Sequence, residues 1–374
     1  MKTNKFIPKK VYIEKSCKNI PYIDKIIKNT SGVPKEWITD PKEIIEEIKS
    51  LQDPIGEGKK YLLVSDQKGE FVKPCPCTPH YIGCNYYIIN LDLNCPLDCS
   101  YCILQMYLEN PVITIHANKQ DLWKQLDEFL IKRKNRMIRI GTGELGDSLA
   151  LDHITENSVE LIDYFRRHEN VLFELKTKTT NLENVFLNEP AENIVIAWSL
   201  NSREMALKEE KDAPSISERL EAAALVVDRG FRTAFHFDPV LEYPGWEEGY
   251  LDVIDDLYEL VDQDRISWIS IGSLRFPAEL KEIIKKRFPR SKIIYSEMVK
   301  GKDGKLRYFK PIRSNLYQKI TKRLLMTDRK IPLYFCMESI DMWRSYLKKE
   351  PRSKVDVEKM LTSLPGSNHI DYIS

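Results

Sequence analysis

From Tyr86 to Phe288 the chain alternates short β-branched runs with amphipathic stretches, and this alternation leaves few folds open. Strands are expected at Tyr86–Asn90, Met137–Thr142, Val171–Thr177, Ile194–Ser199, Arg232–Phe237 and Trp268–Ile271. Helices are expected at Leu122–Lys132, Val159–His168, Glu218–Arg229, Tyr250–Val261 and Glu279–Phe288. In the helix Glu218–Arg229, Leu220, Ala223, Ala224 and Val227 share one face, and Gly230 stands where a C-terminal cap belongs. Strands separated by helices pair in parallel, because each crossover returns the chain to the end of the sheet from which the previous strand started. Six such units are too few to close a barrel of eight, so the expected fold is α/β, an open partial (β/α)6 barrel. Functional groups then collect at the C-terminal ends of its strands. Residues 1–80 read as an N-terminal extension with short helices broken by Pro34, Pro41 and Pro54, 81–290 as the barrel, and 291–374 as a basic hairpin followed by a helical region.

Charge and hydropathy exclude some functions. The chain has 57 Lys and Arg against 56 Asp and Glu over 374 residues, so no global field draws in nucleic acid, and any polyanion site must be a local patch. The basic stretch Met1–Lys10 lacks the apolar run of a signal peptide, and no segment reaches the ~18 apolar residues of a membrane span. A cytoplasmic protein without membrane contact is expected, and there thiols stay reduced. Its 8 cysteines therefore ask for a metal or redox explanation.

Cys95, Cys99 and Cys102 form the tight group, in Asn94-Cys95-Pro96-Leu97-Asp98-Cys99-Ser100-Tyr101-Cys102. Thiolates at this spacing can hold three corners of an iron–sulfur cube. Such clusters normally take four cysteines, so the fourth iron is left for another ligand. A zinc site would want four ligands in closed pairs, and the loop lacks a second pair. The Cys-x3-Cys-x2-Cys spacing after a strand that opens a βα series resembles the radical S-adenosylmethionine superfamily. That resemblance implies a [4Fe–4S] cluster whose open iron is chelated by S-adenosylmethionine (AdoMet), an electron donor such as flavodoxin or ferredoxin, and reductive cleavage to a 5′-deoxyadenosyl radical.

Further motifs narrow the family. Cys99-Ser100-Tyr101-Cys102-Ile103-Leu104-Gln105, Asn110-Pro111, Asp152-His153-Ile154-Thr155, Thr177-Lys178, Ser199-Leu200-Asn201, Ser217-Glu218-Arg219-Leu220-Glu221-Ala222-Ala223 and Gly245-Trp246-Glu247-Glu248-Gly249-Tyr250 resemble spore photoproduct lyase and its relatives in order and spacing. The family implies repair of a thymine–thymine lesion: the adenosyl radical takes hydrogen from the nucleobase lesion, and a protein donor returns one. Here the family's donor cysteine after the second strand is replaced by Glu144, in Gly141-Thr142-Gly143-Glu144. That sequence resembles the Gly-Gly-Glu motif, whose carboxylate binds the cofactor's ammonium; a solvated loop acid, like Asp147, is the plainer alternative. A carboxylic O–H is too strong to donate a hydrogen atom, so the substrate is expected to differ from the spore lesion unless Tyr101 or Cys336 acts as donor.

The resemblance also implies that Lys178 pairs with the cofactor carboxylate and that Ser199, Asn201 and Arg219 lie near it. Plainer roles stay open: Ser199 ending a strand, and Arg219 pairing on the surface with Glu218, Glu221 or Asp212. His236 and Asp238 end the fifth strand, where a lone histidine is more often a satisfied polar group than a ligand. In Lys300-Gly301-Lys302-Asp303-Gly304-Lys305-Leu306-Arg307-Tyr308-Phe309-Lys310, Asp303-Gly304 marks a hairpin turn. Lys302, Lys305, Arg307 and Tyr308 are the expected contacts to DNA or RNA, through phosphates and stacking. Cys75, Cys77, Cys84 and Cys336 are either ligands of an auxiliary cluster or unliganded thiols. Two other readings remain open: a radical enzyme acting on a peptide or small molecule, and a non-catalytic metal-binding protein that binds nucleic acid.

Overall fold

The computed structural model describes residues 5–362 apart from 79 and 328; the start of the basic Met1–Lys10 stretch and the end of the 291–374 segment lie outside the described residues. All six expected barrel strands form and stand side by side in chain order: Tyr87–Ile89, Ile138–Thr142, Val171–Thr177, Ile194–Ser199, Arg232–Val240 and Ile266–Ser273. Each neighbouring pair is parallel, as in Phe173 opposite Ile194 and Ala197 opposite Ala234. The strands read as near-continuous apolar runs because helices cover the sheet. Val171, Phe173, Ile194, Ile196 and Phe235 are wholly buried in one large core.

Two strands join this sheet beyond the expected six. Val72–Pro74 pairs antiparallel on one edge, and Leu333–Phe335 extends the parallel set on the other, making an eight-stranded curled sheet. Leu333–Phe335 lies in the segment expected to be helical; three residues carry too little periodicity to read. Its place matters, because it delivers Cys336 to the C-terminal end of the barrel.

The N-terminal extension holds helices and also strands that its charged composition hid. Lys35–Ile38, Lys10–Glu14, Tyr61–Ser65 and Ile113–His116 form a parallel sheet, with Asp92–Leu93 antiparallel at its edge. The last two strands come from sequence within the barrel segment, so the small sheet is completed from beyond residue 80. Pro41 and Pro54 begin helices at their first position, capped by Asp40 and Asp53. Proline needs no amide partner there, so both mark starts rather than breaks.

Crossover helices match their signals. The helix Ile216–Asp228 opens with a capping box between Ser215 and Glu218, and Gly230 takes φ +91° just after its C-cap. The segment after the sixth strand forms a three-stranded antiparallel sheet in which Leu306–Tyr308 lies between Arg275–Phe276 and Met298–Lys300, with the expected turn joining Met298–Lys300 to Leu306–Tyr308. Among the described residues no helix is long and apolar enough to cross a membrane.

Candidate active site

The loop between the first barrel strand and the short helix Leu104–Tyr107 carries Cys95, Cys99 and Cys102, and all three face one cavity of about 610 Å³ at the C-terminal ends of the strands. Several anchors fix the loop. Asn94 takes φ +70° and accepts the Cys95 N–H at 2.8 Å. Asp98–Cys99 pairs antiparallel with Glu210–Lys211, and the Gln105 amide donates to the carbonyls of Cys99, Ser100 and Cys102 at 2.9–3.3 Å. Lys59 from the N-terminal extension donates to Leu97 O, and Arg287 from the last barrel helix holds Asp98 at 3.0 Å and Asp53 at 2.9 Å.

The thiols fit an iron–sulfur cube. Burial pushes the Cys95 thiol well up and the Cys99 thiol to about 11, with Lys59 and Lys178 pulling the other way. Iron must displace those protons, and the two ammonium groups favour the thiolates that result. Among the described residues no three donors converge on a single ion; a cube binds its thiolates one per iron and does not require such convergence.

Lys178 reaches this loop from the end of the third barrel strand. Its Nζ stands 3.6 Å from Cys99 Sγ, 2.7 Å from the Tyr101 hydroxyl and 3.3 Å from Glu210. Glu210, which sequence reasoning passed over, is the hub. It accepts from Tyr101, pairs with Arg219 at 2.5 Å, and takes an amide hydrogen from Asn201 at 3.3 Å. Burial works to raise the Glu210 carboxyl, but Arg219 and Lys178 outweigh it and hold the group at about 2. Burial and the neighbouring Glu210 push the Tyr101 phenol well above its usual range, so it stays protonated. No local signal marks Glu210; only its cross-strand pairing with Cys99 does.

Ser199 and Glu144 also line the cavity. Glu144 is no solvated loop acid: it pairs with Lys176, a second residue the sequence did not single out. Glu144 and Glu174 hold the Lys176 ammonium above its usual range against the effect of burial. Gly143 takes φ +91° with its α-carbon against the backbone, where a Cβ would lie 2.5 Å from Lys176 O. Asp147 is likewise buried, accepting from Thr177 Oγ1 at 2.7 Å and Lys178 N at 2.8 Å, and so ties the loop after the second strand to the third.

Several expectations are corrected. Arg219 is fully buried and is not a surface residue; it donates to Ser199 O and Pro214 O at 3.0 Å and pairs with Glu210. Asn201 is 1% exposed, its side chain engaged by Tyr250, Ser202 N and Glu210. Neither is among the residues that line the cavity. In the hairpin, Arg307 is clamped to Asp303 at 2.7 Å beneath the Tyr81 ring, and Tyr308 is buried with its hydroxyl accepting from Glu242 N at 3.0 Å. Neither is free to meet phosphate or base. Lys302 is exposed, and Lys305 lies at the cavity rim. His236 is a satisfied buried group, bridging Ser270 at 2.6 Å and Glu174 at 2.7 Å. Cys336 does reach the cavity, with Arg275 Nη2 at 3.2 Å from its sulfur, and Cys75, Cys77 and Cys84 line the same space. The cavity that Glu144 lines is therefore well supplied with thiols.

The sequence model of the spore photoproduct lyase family matches residues 6–342. This chain belongs to that family. The spore photoproduct lyase of a Geobacillus species is 25% identical over 214 residues, 56% of this chain and 63% of that protein, so the match spans less than two thirds of that relative. The Clostridium acetobutylicum lyase is 23% identical over 281 residues, covering 75% and 81%. A solved cysteine-to-alanine variant of spore photoproduct lyase superposes with a TM-score of 0.79 at 21% identity, covering 88% of this chain and 99% of that one. A solved spore photoproduct lyase complexed with dinucleoside spore photoproduct gives 0.75 at 21% identity with the same coverage. At that identity the likeness establishes the half-barrel fold. The chain is thus a radical AdoMet protein of the spore photoproduct lyase kind, and its cysteine loop opens into the mouth of that half-barrel.

Proposed function

We propose that the chain is a radical enzyme that binds a [4Fe–4S] cluster on Cys95, Cys99 and Cys102 and abstracts hydrogen from a nucleobase in DNA or RNA. One observation carries this reading: the three cysteines face a single large cavity at the strand ends, with Lys178 and Tyr101 directly beside Cys99. When bound, the cluster and AdoMet supply a 5′-deoxyadenosyl radical. The protein's own residues bind, orient and shield. Lys178 offers its ammonium to a carboxylate arriving beside Cys99, held in place by Glu210. Glu144 accepts an ammonium at the end of the second strand by exchanging it for Lys176, as charge-assisted contacts of this kind favour. Ser199 offers a hydroxyl at the end of the fourth strand. Arg219 and Asn201 act as positioning residues through Glu210. Tyr101, kept protonated, is available to relay a hydrogen atom.

A nucleobase substrate is favoured by the family, since one solved relative holds AdoMet and dinucleoside spore photoproduct. Lys302 and Lys305 are the hairpin's remaining candidates for phosphate contact. An electron donor such as flavodoxin or ferredoxin and a cytoplasmic location belong to the same reading. The test is anaerobic reconstitution with iron and sulfide, reduction, and incubation with dinucleoside spore photoproduct. Formation of 5′-deoxyadenosine with thymine release supports it, and a reconstituted protein that leaves AdoMet intact refutes it.

A further inference from the structure

The last barrel helix, Ala278–Arg287, packs beside the helix Leu104–Tyr107 that follows Cys102. Leu280 and Ile284 are buried, and Arg287 also turns inward, donating to the Gln105 side-chain carbonyl and holding Asp98 at 3.0 Å. Gln105 in turn donates to the carbonyls of Cys99, Ser100 and Cys102. Two side chains, Arg287 and Gln105, therefore connect this helix to the backbone of the cysteine loop. The outward side of the same segment is basic. Residues 278–295 carry 6 Lys and Arg against 2 Glu, in a chain whose overall charge is +1. Lys285 has Glu282 at 2.7 Å, but the exposed Lys286, Arg290 and Lys292 meet no carboxylate partner among the described residues. Cations in a last turn answer the helix macrodipole, yet Arg290 and Lys292 lie beyond the helix end. Beside them Tyr295 is 59% exposed, with the Lys281 and Lys292 ammonium groups 5.9 and 5.8 Å from its ring. The loop that displays them is fixed: Ile293 and Ile294 are buried, Ser291 N–H donates to Phe288 O at 2.9 Å, and Tyr295 N–H donates to Lys292 O at 3.1 Å.

We propose that Lys286, Arg290, Lys292 and Tyr295 dock an acidic one-electron carrier protein, which delivers its electron through the outer wall of the cysteine loop. This rests on the radical reading above. One electron leaves the carrier, which is oxidised, and enters the cluster, which is reduced; no atom or proton is transferred.

Position separates this partner from nucleic acid. A nucleobase has to enter the cavity, so its phosphates belong at the mouth, where Lys305 stands; none of the four docking residues lines that cavity. An electron needs no opening. It needs a short bonded route, and Arg287 and Gln105 supply one from this face to the backbone of Cys99 and Cys102. Unpaired cations on one side and carboxylates on the carrier steer the encounter and set its orientation. Electron-transfer encounters bury little surface, under ~1,200 Å², so one helix end and one loop suffice. An exposed aromatic ring among the cations gives the contact an anchor.

The experiment titrates oxidised flavodoxin with the reconstituted full chain and reads Kd from the flavin fluorescence across a salt series. Alongside, AdoMet cleavage is driven either by reduced flavodoxin or by dithionite, a small reductant that needs no docking surface. Lys286→Glu/Arg290→Glu/Lys292→Glu should raise Kd roughly tenfold or more and flatten its salt dependence. It should slow flavodoxin-driven cleavage while dithionite-driven cleavage and iron content match wild type. Tyr295→Ala, which leaves the charge alone, should weaken binding without changing the salt dependence. Where the charge reversals lower the dithionite rate as well, Lys286→Gln/Arg290→Gln/Lys292→Gln is read in the same way. An unchanged Kd in these variants, or a wild type that binds no flavodoxin while dithionite still drives cleavage, overturns the docking assignment alone. Loss of DNA affinity with an unchanged flavodoxin Kd assigns the face to nucleic acid and overturns it too. A wild type that cleaves no AdoMet even with dithionite overturns the radical reading, and the docking assignment with it.

Discussion

Cys99 and Glu210 face each other across a two-residue antiparallel ladder, which sets the carboxylate that holds Lys178 and Arg219 opposite the middle cysteine of the loop. Backbone pairing thereby fixes the distance between Cys99 and the charges beside it. Lys178 is poised between both sides of the ladder, near the Cys99 sulfur and the Glu210 oxygen alike.

The first prediction concerns that carboxylate. Glu210→Gln leaves two buried cations without their anion, and unpairing a buried charge costs about 3–5 kcal/mol. Glu210 titrates at about 2 in the fold, below its ordinary ~4.3 in an unfolded chain. Its stabilisation is therefore full above the ordinary value and is lost as pH falls through the lowered one. Denaturant unfolding at several pH values should show a large gap between wild type and variant at neutral pH that narrows in acid. A gap that does not change with pH would mean that Glu210 is not the charged hub.

The barrel was legible because its strands are long enough to carry a pattern: Val171–Thr177 and Ile194–Ser199 form just where their apolar runs place them. The cysteine loop stood out because Cys95, Cys99 and Cys102 lie at tight spacing, and the fold brings all three to one cavity. What stayed hidden depends on pairings across long sequence separations. Glu210 and Lys176 look like ordinary surface charges until the fold brings them against Cys99 and Glu144. Arg307 and Tyr308 sit in a basic, aromatic stretch that suits nucleic acid equally well, yet Asp303 and Glu242 claim them for the interior. Leu333–Phe335 is too short to announce itself, although it brings Cys336 to the site.

A second prediction separates the two kinds of basic residue in the hairpin. Removing Lys302 and Lys305 together should flatten the salt dependence of nucleic-acid binding by about 0.9 for each phosphate that the protein no longer neutralises. Arg307→Ala should leave the slope unchanged and instead destabilise the chain by about 3–5 kcal/mol, because Asp303 loses its buried partner. Filter binding across a salt series and thermal unfolding check the two arms. A slope that follows Arg307 rather than the lysines would contradict the assignment.

Arg287 gives a third. It joins Asp98 in the cysteine loop to Asp53 in the N-terminal extension, so Arg287→Ala should loosen the loop without touching a ligand. Reconstituted protein should then lose iron to a chelator faster than wild type while retaining the same initial iron content. Equal loss rates would show that Arg287 does not brace the loop.

The central claim is that Cys95, Cys99 and Cys102 hold the cluster that cleaves AdoMet in this cavity, and one measurement bears on it most directly. Wild type and Cys99→Ala are reconstituted anaerobically, reduced, and assayed for iron and for 5′-deoxyadenosine. Wild type should bind about four irons, as one cube requires, and should release 5′-deoxyadenosine; Cys99→Ala should do neither. Cleavage in Cys99→Ala at the wild-type rate would contradict the account.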